Sequence, residues 1–190
     1  MSFRVLIIPE DPVNNGYVLR PLISAMLETC GKPHARVTVL ERPRARGYSH
    51  VKQILDEILE AYAHYDLLLF LPDADGNDRS AEFHELERKA AQKGVRLLCC
   101  AARQEVEVWL LAGHTGKLGC RWQEVVSDNS VKENVFEPFL ARHGDPRRAG
   151  GGRDTLMNET LRSFDGLLQR CPELGELRER IRSALNQVEP

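Results

Sequence analysis

Three aspartates follow one short apolar run at close spacing. The run 67–71 ends and is followed within a few residues by Asp73, Asp75 and Asp78. Carboxylates this close repel one another unless a hard cation lies between them or each points into water. Mg²⁺ takes oxygen ligands from one or two carboxylates and keeps waters for the rest. The segment is therefore a candidate metal site; the alternative is a polar turn, because Asp, Asn and Gly are turn residues.

A glutamate follows another apolar run near the N-terminus. Glu10 comes just after the segment 3–8, and it would reach the same crevice as the aspartates if the first and third strands are neighbours. Acids from two strand ends would form a divalent-metal site that can hold a phosphodiester and activate water. A calcium loop fits less well, because Gly76 is fourth in the acidic segment rather than sixth and a strand precedes it.

The elements that must position these acids alternate along the chain. Apolar or alternating runs at 3–8, 35–41, 66–71 and 95–101 predict strands, and runs of helical period separate them. This order predicts an α/β fold: a doubly wound, mainly parallel four-stranded sheet of order 2-1-3-4 with helices on both faces.

Two amphipathic segments near the C-terminus predict a helical extension. We assign residues 1–113 to the α/β domain and residues 114–190 to a helical extension packed on the same domain.

The composition limits the setting in which the chain works. No apolar run approaches 18 residues and no signal-peptide layout is present, so we expect a cytoplasmic protein without a membrane span. The five cysteines include no CxxC pair, which favours reduced thiols over a disulfide or zinc role.

Local basic patches are the features that could contact nucleic acid. The net charge of −2 gives no global attraction to a polyanion. Arginines nevertheless cluster in two loops, and one more follows the fourth strand, where it could meet a phosphate. We predict phosphate contacts for Arg44, Arg46, Arg103, Arg147 and Arg148. The alternative is that these arginines are solvated loop residues.

The segment after the fourth strand carries two further acids. Glu105 and Glu107 are two residues apart, and on a helix such a pair does not share a face. One interpretation places both in a first helical turn, where negative charge suits the helix dipole. Trp109 is expected to pack in the core, and a lone histidine such as His114 is more often structural.

Taken together, these motifs resemble the Toprim domain of topoisomerases, primases and the overcoming-lysogenization-defect nucleases. That family has a glutamate after the first strand and Asp-x-Asp after the third, which here are Glu10 in "LIIPED" and Asp73 and Asp75 in "LPDADG". Small stand-alone bacterial Toprim-like proteins also carry a glutamate-tryptophan segment after the fourth strand, here Glu107 in "EVEVWLLAG". In place of the usual glycine after the first glutamate this chain has Asp11.

The resemblance implies a nuclease that depends on Mg²⁺ or Mn²⁺ and cleaves DNA or RNA. It assigns metal binding and phosphodiester chemistry to Glu10, Asp73 and Asp75, and it places Glu107 beside the metal site as a further candidate ligand. We add Asp78 as another candidate ligand. Topoisomerase and primase activities need additional domains that do not fit in 190 residues. The resemblance also suggests an ATPase partner in phage defence.

Two other functions stay open. A non-catalytic Toprim-fold subunit or scaffold would keep the fold and use the acids to stabilise a loop or to bind a partner. A phospho-acceptor receiver-like domain also places acids after strands one and three. The segment after the fourth strand lacks the hydroxyl residue that a receiver needs there.

Overall fold

Four parallel strands form the centre of the fold. The computed structural model describes residues 2–186. In chain order the elements are β1 (Arg4–Ile8), α1 (Gly16–Thr29), β2 (Arg36–Val39), α2 (Tyr48–Ala61), β3 (Leu67–Phe70), α3 (Ser80–Gln92), β4 (Leu97–Cys99), α4 (Glu107–Leu111), α5 (Trp122–Ser127), α6 (Glu137–His143), α7 (Arg153–Leu161), α8 (Phe164–Arg170) and α9 (Pro172–Asn186). Within residues 2–186, none of the helices has both the length and the apolarity that crossing a bilayer requires.

The sheet has the predicted order, β2-β1-β3-β4, with every pairing parallel. Each strand is shorter than its predicted segment but lies within it. Because all four strands point the same way, their carboxyl ends meet at one edge of the sheet, and the chain order reverses between β1 and β3. The segments that follow β1, β3 and β4 therefore share one crevice.

Alternate residues of the strands face two separate cores, which is why the inner strands are apolar throughout. One core joins α1, α4 and the C-terminal helices to one face of the sheet, and α2 and α3 cover the other. On the first face lie Val5, Ile7, Leu67 and Leu69, and on the second lie Leu6, Ile8, Leu68 and Phe70.

The chain beyond β4 adds to the first core. Leu174, Leu177 and Ile181 of α9 belong to the same buried cluster as Val5 of β1. The first of the two predicted C-terminal helices is divided into α7 and α8, because Ser163 between them has non-helical backbone angles. A π-helical turn at Lys132–Phe136 leads directly into α6.

Side chains from two helices satisfy the free edge of β4. Glu87 of α3 accepts a 2.7 Å hydrogen bond from the backbone N–H of Cys99, and Arg180 of α9 donates a 2.9 Å bond to the Cys99 carbonyl. The two side chains also pair with each other at 2.6 Å. This contact closes the edge to further strand pairing and fixes the strand that precedes Arg103.

We expect Glu87→Ala to lower the free energy of unfolding by about 1–3 kcal/mol, because it leaves the Cys99 N–H without an acceptor and Arg180 without its partner. Glu85→Ala is the control: its partner Arg88 is exposed, and surface pairs contribute about 0–1 kcal/mol. Urea unfolding measures both variants. Equal effects of the two substitutions would mean that Glu87 does not hold the edge strand.

Candidate metal centre

The chain segments that leave β3 and β4 stay paired beyond the ends of the strands. Asp73 forms an isolated parallel bridge with Ala102, and the Ala74 N–H donates to the Ala102 carbonyl at 2.9 Å. Farther on, the Asp75 and Gly76 N–H groups donate to the carbonyls of Gln104 and Arg103 at 3.2 and 3.1 Å. The backbone thus places Asp73 directly beside the segment that carries Glu105 and Glu107.

A tight turn follows Asp73. Asp75 and Gly76 have φ values of +50° and +70°, a conformation that glycine and aspartate adopt more readily than most residues. The Asn77 N–H closes the turn on the Ala74 carbonyl at 2.8 Å. The polar-turn interpretation therefore describes the backbone of residues 74–77 correctly, while the Asp73 side chain belongs to a separate group.

Asp73, Glu105 and Glu107 form one acidic group. Each offers a carboxylate oxygen, and these oxygens all lie within 4.8 Å of one another. The Val106 N–H donates to Asp73 Oδ1 at 2.7 Å and so ties the aspartate to the backbone between the two glutamates. The group could hold a metal ion.

The expectation that Glu105 and Glu107 cannot point the same way is wrong. It assumed that both residues lie within one helix, but α4 begins only at Glu107. Glu105 lies two residues before the helix and outside it, so the helical rule for residue spacing does not apply to the pair. Its carboxylate therefore converges with that of Glu107 on Asp73.

Glu107 is the most unusual member of the group. Its side chain is 1% exposed, and neither carboxylate oxygen has a hydrogen-bond partner. Buried polar groups in native proteins are almost always paired, and a buried carboxylate without partners carries a large desolvation cost. A cation at this position would compensate that cost.

Burial and like charge also act on Asp73. Burial raises the pKa of Asp73, the charges of Glu105 and Glu107 raise it further, and the result is about 8 although the Val106 N–H opposes the shift. Burial likewise raises the pKa of Glu105. The group therefore resists carrying three negative charges when no cation is bound.

Lys132 is the cation that the structure places at this group. Its Nζ lies 3.4 Å from Glu105 Oε2 and 3.6 Å from Glu107 Oε1. Burial lowers the pKa of Lys132, but the charges of Glu107 and Glu105 outweigh burial and the net shift is upward. Lys132 sits in the π-helical turn, a feature that is frequent at functional sites.

Glu10 and Asp75 lie next to the group but outside it. Glu10 follows β1, and its Oε1 is buried without a hydrogen-bond partner. Burial raises the pKa of Glu10 to about 7, with the charge of Asp75 adding to the shift, so these two carboxylates are electrostatic neighbours. The Asp75 side chain is 60% exposed and lies 3.7 Å from Arg79.

Asp78, a further predicted ligand, lies at the start of α3. Its Oδ1 accepts hydrogen bonds from the Ser80 N–H at 2.9 Å and from the Ser80 hydroxyl. These bonds lower the pKa of Asp78. Within residues 2–186 it is not part of the group that could hold an ion.

The predicted phosphate-binding arginines fall in three places. Arg44 and Arg46 line a cavity of about 380 Å³ together with Glu10, and Arg103 lines a larger cleft beside Gly76. Arg147 and Arg148 lie beyond α6 and pair with acidic neighbours at 3.1 and 3.2 Å.

Trp109 and His114 are structural. Trp109 is fully buried, and its Nε1 donates to Glu173 at 2.8 Å. His114 is 4% exposed, and its Nε2 lies 3.0 Å from the Leu156 carbonyl. Burial lowers the pKa of His114, so its ring is held neutral inside the protein.

No protein-family model, curated protein or solved structure matches the chain. The site is therefore defined by its geometry: a buried, all-oxygen acidic group at the carboxyl edge of a parallel sheet, with one lysine beside it.

Replacing Lys132 should raise the affinity for divalent cations. In Lys132→Met the carboxylates lose the ammonium that competes with an added ion, and we expect the affinity for Mn²⁺ to rise on the order of tenfold. The melting temperature in metal-free buffer should fall, because Glu105 and Glu107 then repel without compensation. Titration calorimetry measures the affinity.

Lys117→Met is the matched control, because Lys117 pairs with Glu159 away from the acidic group. We expect its affinity for Mn²⁺ to equal that of the unmodified protein. A lower affinity in Lys132→Met would mean instead that the lysine arranges the carboxylates for the ion.

The stability of the metal-free protein should fall as the pH rises. The pKa of Asp73 in the folded protein, about 8, exceeds its value in an unfolded chain, so the folded state binds more protons between these values. The stabilisation is complete below about pH 4 and is lost through pH 8, with a slope of at most ~1.4 kcal/mol per pH unit for one proton.

Urea unfolding with a chelator present measures this slope, and Asp73→Asn serves as the comparison. The asparagine keeps an acceptor for the Val106 N–H but does not titrate, so its stability should depend less steeply on pH. If the free energy of unfolding depends on pH in the same way in both proteins, Asp73 is not the group whose titration causes the slope.

Proposed function

We propose that the protein is a divalent-metal-dependent hydrolase of phosphodiester bonds in DNA or RNA, with Mg²⁺ or Mn²⁺ as its cofactor. The observation that carries the proposal is the fully buried Glu107, whose two oxygens have no hydrogen-bond partner and one of which converges with oxygens of Asp73 and Glu105 at the carboxyl edge of the sheet. A carboxylate buried in this way is costly unless a cation pairs with it.

The donor set suits a small hard ion. Asp73, Glu105 and Glu107 offer oxygen ligands, which Mg²⁺ and Mn²⁺ prefer over nitrogen and sulfur. Neighbouring ligands of Mg²⁺ are about 3 Å apart, so a modest contraction of a group that spans 4.8 Å would bring these oxygens into coordination range. A bound ion would supply Lewis-acid activation of a water and of the phosphoryl oxygens.

We assign proton transfer, substrate contact and charge neutralisation to residues around the group. Glu10 stands across the crevice with a buried, unpartnered Oε1, and we propose that it takes or donates a proton during hydrolysis. Asp75 is exposed enough to contact a second ion or the substrate. Lys132 neutralises the two glutamates in the metal-free protein and can approach a phosphate once an ion replaces it.

Nucleic acid is the proposed substrate because cationic side chains surround the crevice. Arg44 and Arg46 share a cavity with Glu10, and Arg103 follows β4. These contacts are local, so they do not require the chain as a whole to be basic. Membership of a Toprim-like class and an ATPase partner in phage defence belong to the same proposal and rest on the resemblance of the sequence motifs.

Cleavage of plasmid DNA and of total RNA, with Mg²⁺ or Mn²⁺, tests the function. We expect cleavage that stops with a chelator and that falls by about 10²-fold or more in Asp73→Asn and in Glu107→Gln, because each loses a charged ligand. Asp78→Asn is the control: asparagine keeps an acceptor for the Ser80 N–H, and Asp78 lies outside the acidic group, so the activity of this variant should be retained.

A non-catalytic scaffold predicts a different pattern. If neither nucleic acid is cleaved with any divalent ion or candidate ATPase partner, while the acidic variants still fold, the hydrolase proposal is wrong. Cleavage that is unchanged in Glu107→Gln would separate the activity from the buried group.

A further inference from the structure

A large cleft adjoins the acidic group on the side of the edge strand β4. Its volume is about 910 Å³, and its walls come from the turn after β3, the start of α3, the segment after β4, α5 and α9. Gly76, Arg79 and Gln104 line the cleft. The cleft therefore begins at the turn that follows Asp73. A cleft of this size holds a small organic ligand.

Three of the four carboxylates that line the cleft are bonded to the protein, and the fourth, Glu176, is exposed. Glu87 pairs with Arg180 and accepts from the Cys99 N–H, Glu173 accepts from the Trp109 indole, and Asp78 accepts from Ser80. The pairing with Arg180 neutralises Glu87, whereas hydrogen bonds from neutral donors leave the other carboxylates negative. Arg79 and Arg103 are the arginines of the cleft that Glu87 does not engage, so they are the candidates for binding an anion.

Arg79 is a mostly buried cation with unused donors. Its side chain is 17% exposed, its guanidinium stacks 4.0 Å above the Tyr48 ring, and its Nε is buried without a hydrogen-bond partner. Its distances to Asp75 and Glu82, 3.7 and 3.8 Å, are too long for strong hydrogen bonds. Stacking on Tyr48 fixes the guanidinium, and donors that are held this loosely can form charge-assisted hydrogen bonds to a phosphate.

Arg103 provides a second cation from another wall. It is exposed, and within the part of the chain that the structure describes it forms no ion pair. Its carbonyl accepts from the Gly76 N–H at 3.1 Å, which ties it to the same turn. The two arginines thus approach the turn after Asp73 from α3 and from β4.

Amide side chains line the cleft between these cations. Gln104 is 5% exposed, its Nε2 donates to Asn129 Oδ1 at 3.2 Å, and its Oε1 is buried without a partner. Gly76 lies against this amide, since a Cβ at this position would be in van der Waals contact with Gln104 Oε1 at 3.5 Å. A buried acceptor beside an open cleft is suited to a ligand that donates a hydrogen bond.

We propose that this cleft binds one unpaired nucleotide of the nucleic-acid substrate, with its phosphates on Arg79 and Arg103 and its base at Gln104. This inference rests on the proposed function and specifies its substrate as a single-stranded segment. A base can reach the amide groups only when it is not paired within a duplex, as in other sites that accept splayed bases. Ala74 and Gln104, the chain neighbours of Asp73 and Glu105, line the cleft, which would place the backbone of the bound nucleotide near the acidic group.

Fluorescence anisotropy with a short labelled oligonucleotide tests the cleft in a chelating buffer, where no cleavage occurs. We expect the single strand to bind more tightly than the same strand paired with its complement. Arg79→Gln and Arg103→Gln should each weaken single-strand binding by about tenfold and reduce the salt slope by about 0.7. Arg88→Gln, on α3 but paired with Glu85 on the outer surface, should change neither.

The base contact has its own readout. A strand with one abasic site should bind the unmodified protein more weakly than the intact strand, and Gln104→Leu should bind both strands equally. Arg79→Lys keeps the buried charge, so partial recovery of binding in that variant separates a phosphate contact from a folding defect.

Preference for duplex, or equal losses in Arg79→Gln, Arg103→Gln and Arg88→Gln, would overturn the inference. These results are distinct from failure of the proposed function. If the protein binds a single strand through the arginines but cleaves nothing, the hydrolase proposal is wrong and the nucleotide site stands. If it cleaves duplex and the arginine variants bind normally, the nucleotide site is wrong and the hydrolase proposal stands.

Discussion

Repulsion among three clustered carboxylates dominates the carboxyl edge of the sheet. One oxygen each of Asp73, Glu105 and Glu107 lies within 4.8 Å of the others, and the group is shielded from water most completely at Glu107, where like charges interact more strongly than in water. The fold provides a hydrogen bond from Val106 and one ammonium from Lys132, and neither reaches the oxygens of Glu107 at hydrogen-bond distance. Such an arrangement costs stability, a pattern that is common where side chains serve a ligand rather than the fold.

The rigid surroundings explain how the chain sustains that cost. Apart from Arg4, the inner strands β1 and β3 consist of apolar residues that pack into the two cores on either face of the sheet. This packing fixes the edge of the sheet from which the acids project. Continued pairing between the tails of β3 and β4 fixes Asp73, and Glu87 with Arg180 fixes the outer side of β4. The stability of the sheet therefore supports a locally unfavourable group.

Much of the fold could be predicted from the sequence because its signals are local. Four apolar runs separated by helical periods define a parallel sheet, and the order β2-β1-β3-β4 agrees with the prediction. The same reasoning placed Glu10 and Asp73 at one edge, whereas Glu107 was selected through the resemblance to Toprim-like proteins. It misjudged Glu105, because periodicity does not reveal that α4 starts two residues later.

The remaining members of the site depend on contacts between distant segments. Lys132 reaches the acids from a π-helical turn whose sequence "KENVF" carries no motif, and Arg79 is distinguished only by its stacking on Tyr48. The burial of Gln104 likewise follows from packing against Asn129. A crystal structure of the protein soaked in Mn²⁺ would show whether the acidic group binds an ion. We expect an anomalous peak bound by Asp73 and Glu107, with the Lys132 ammonium displaced; Lys132 in place and no peak at the three carboxylates would mean that the group is not a metal site.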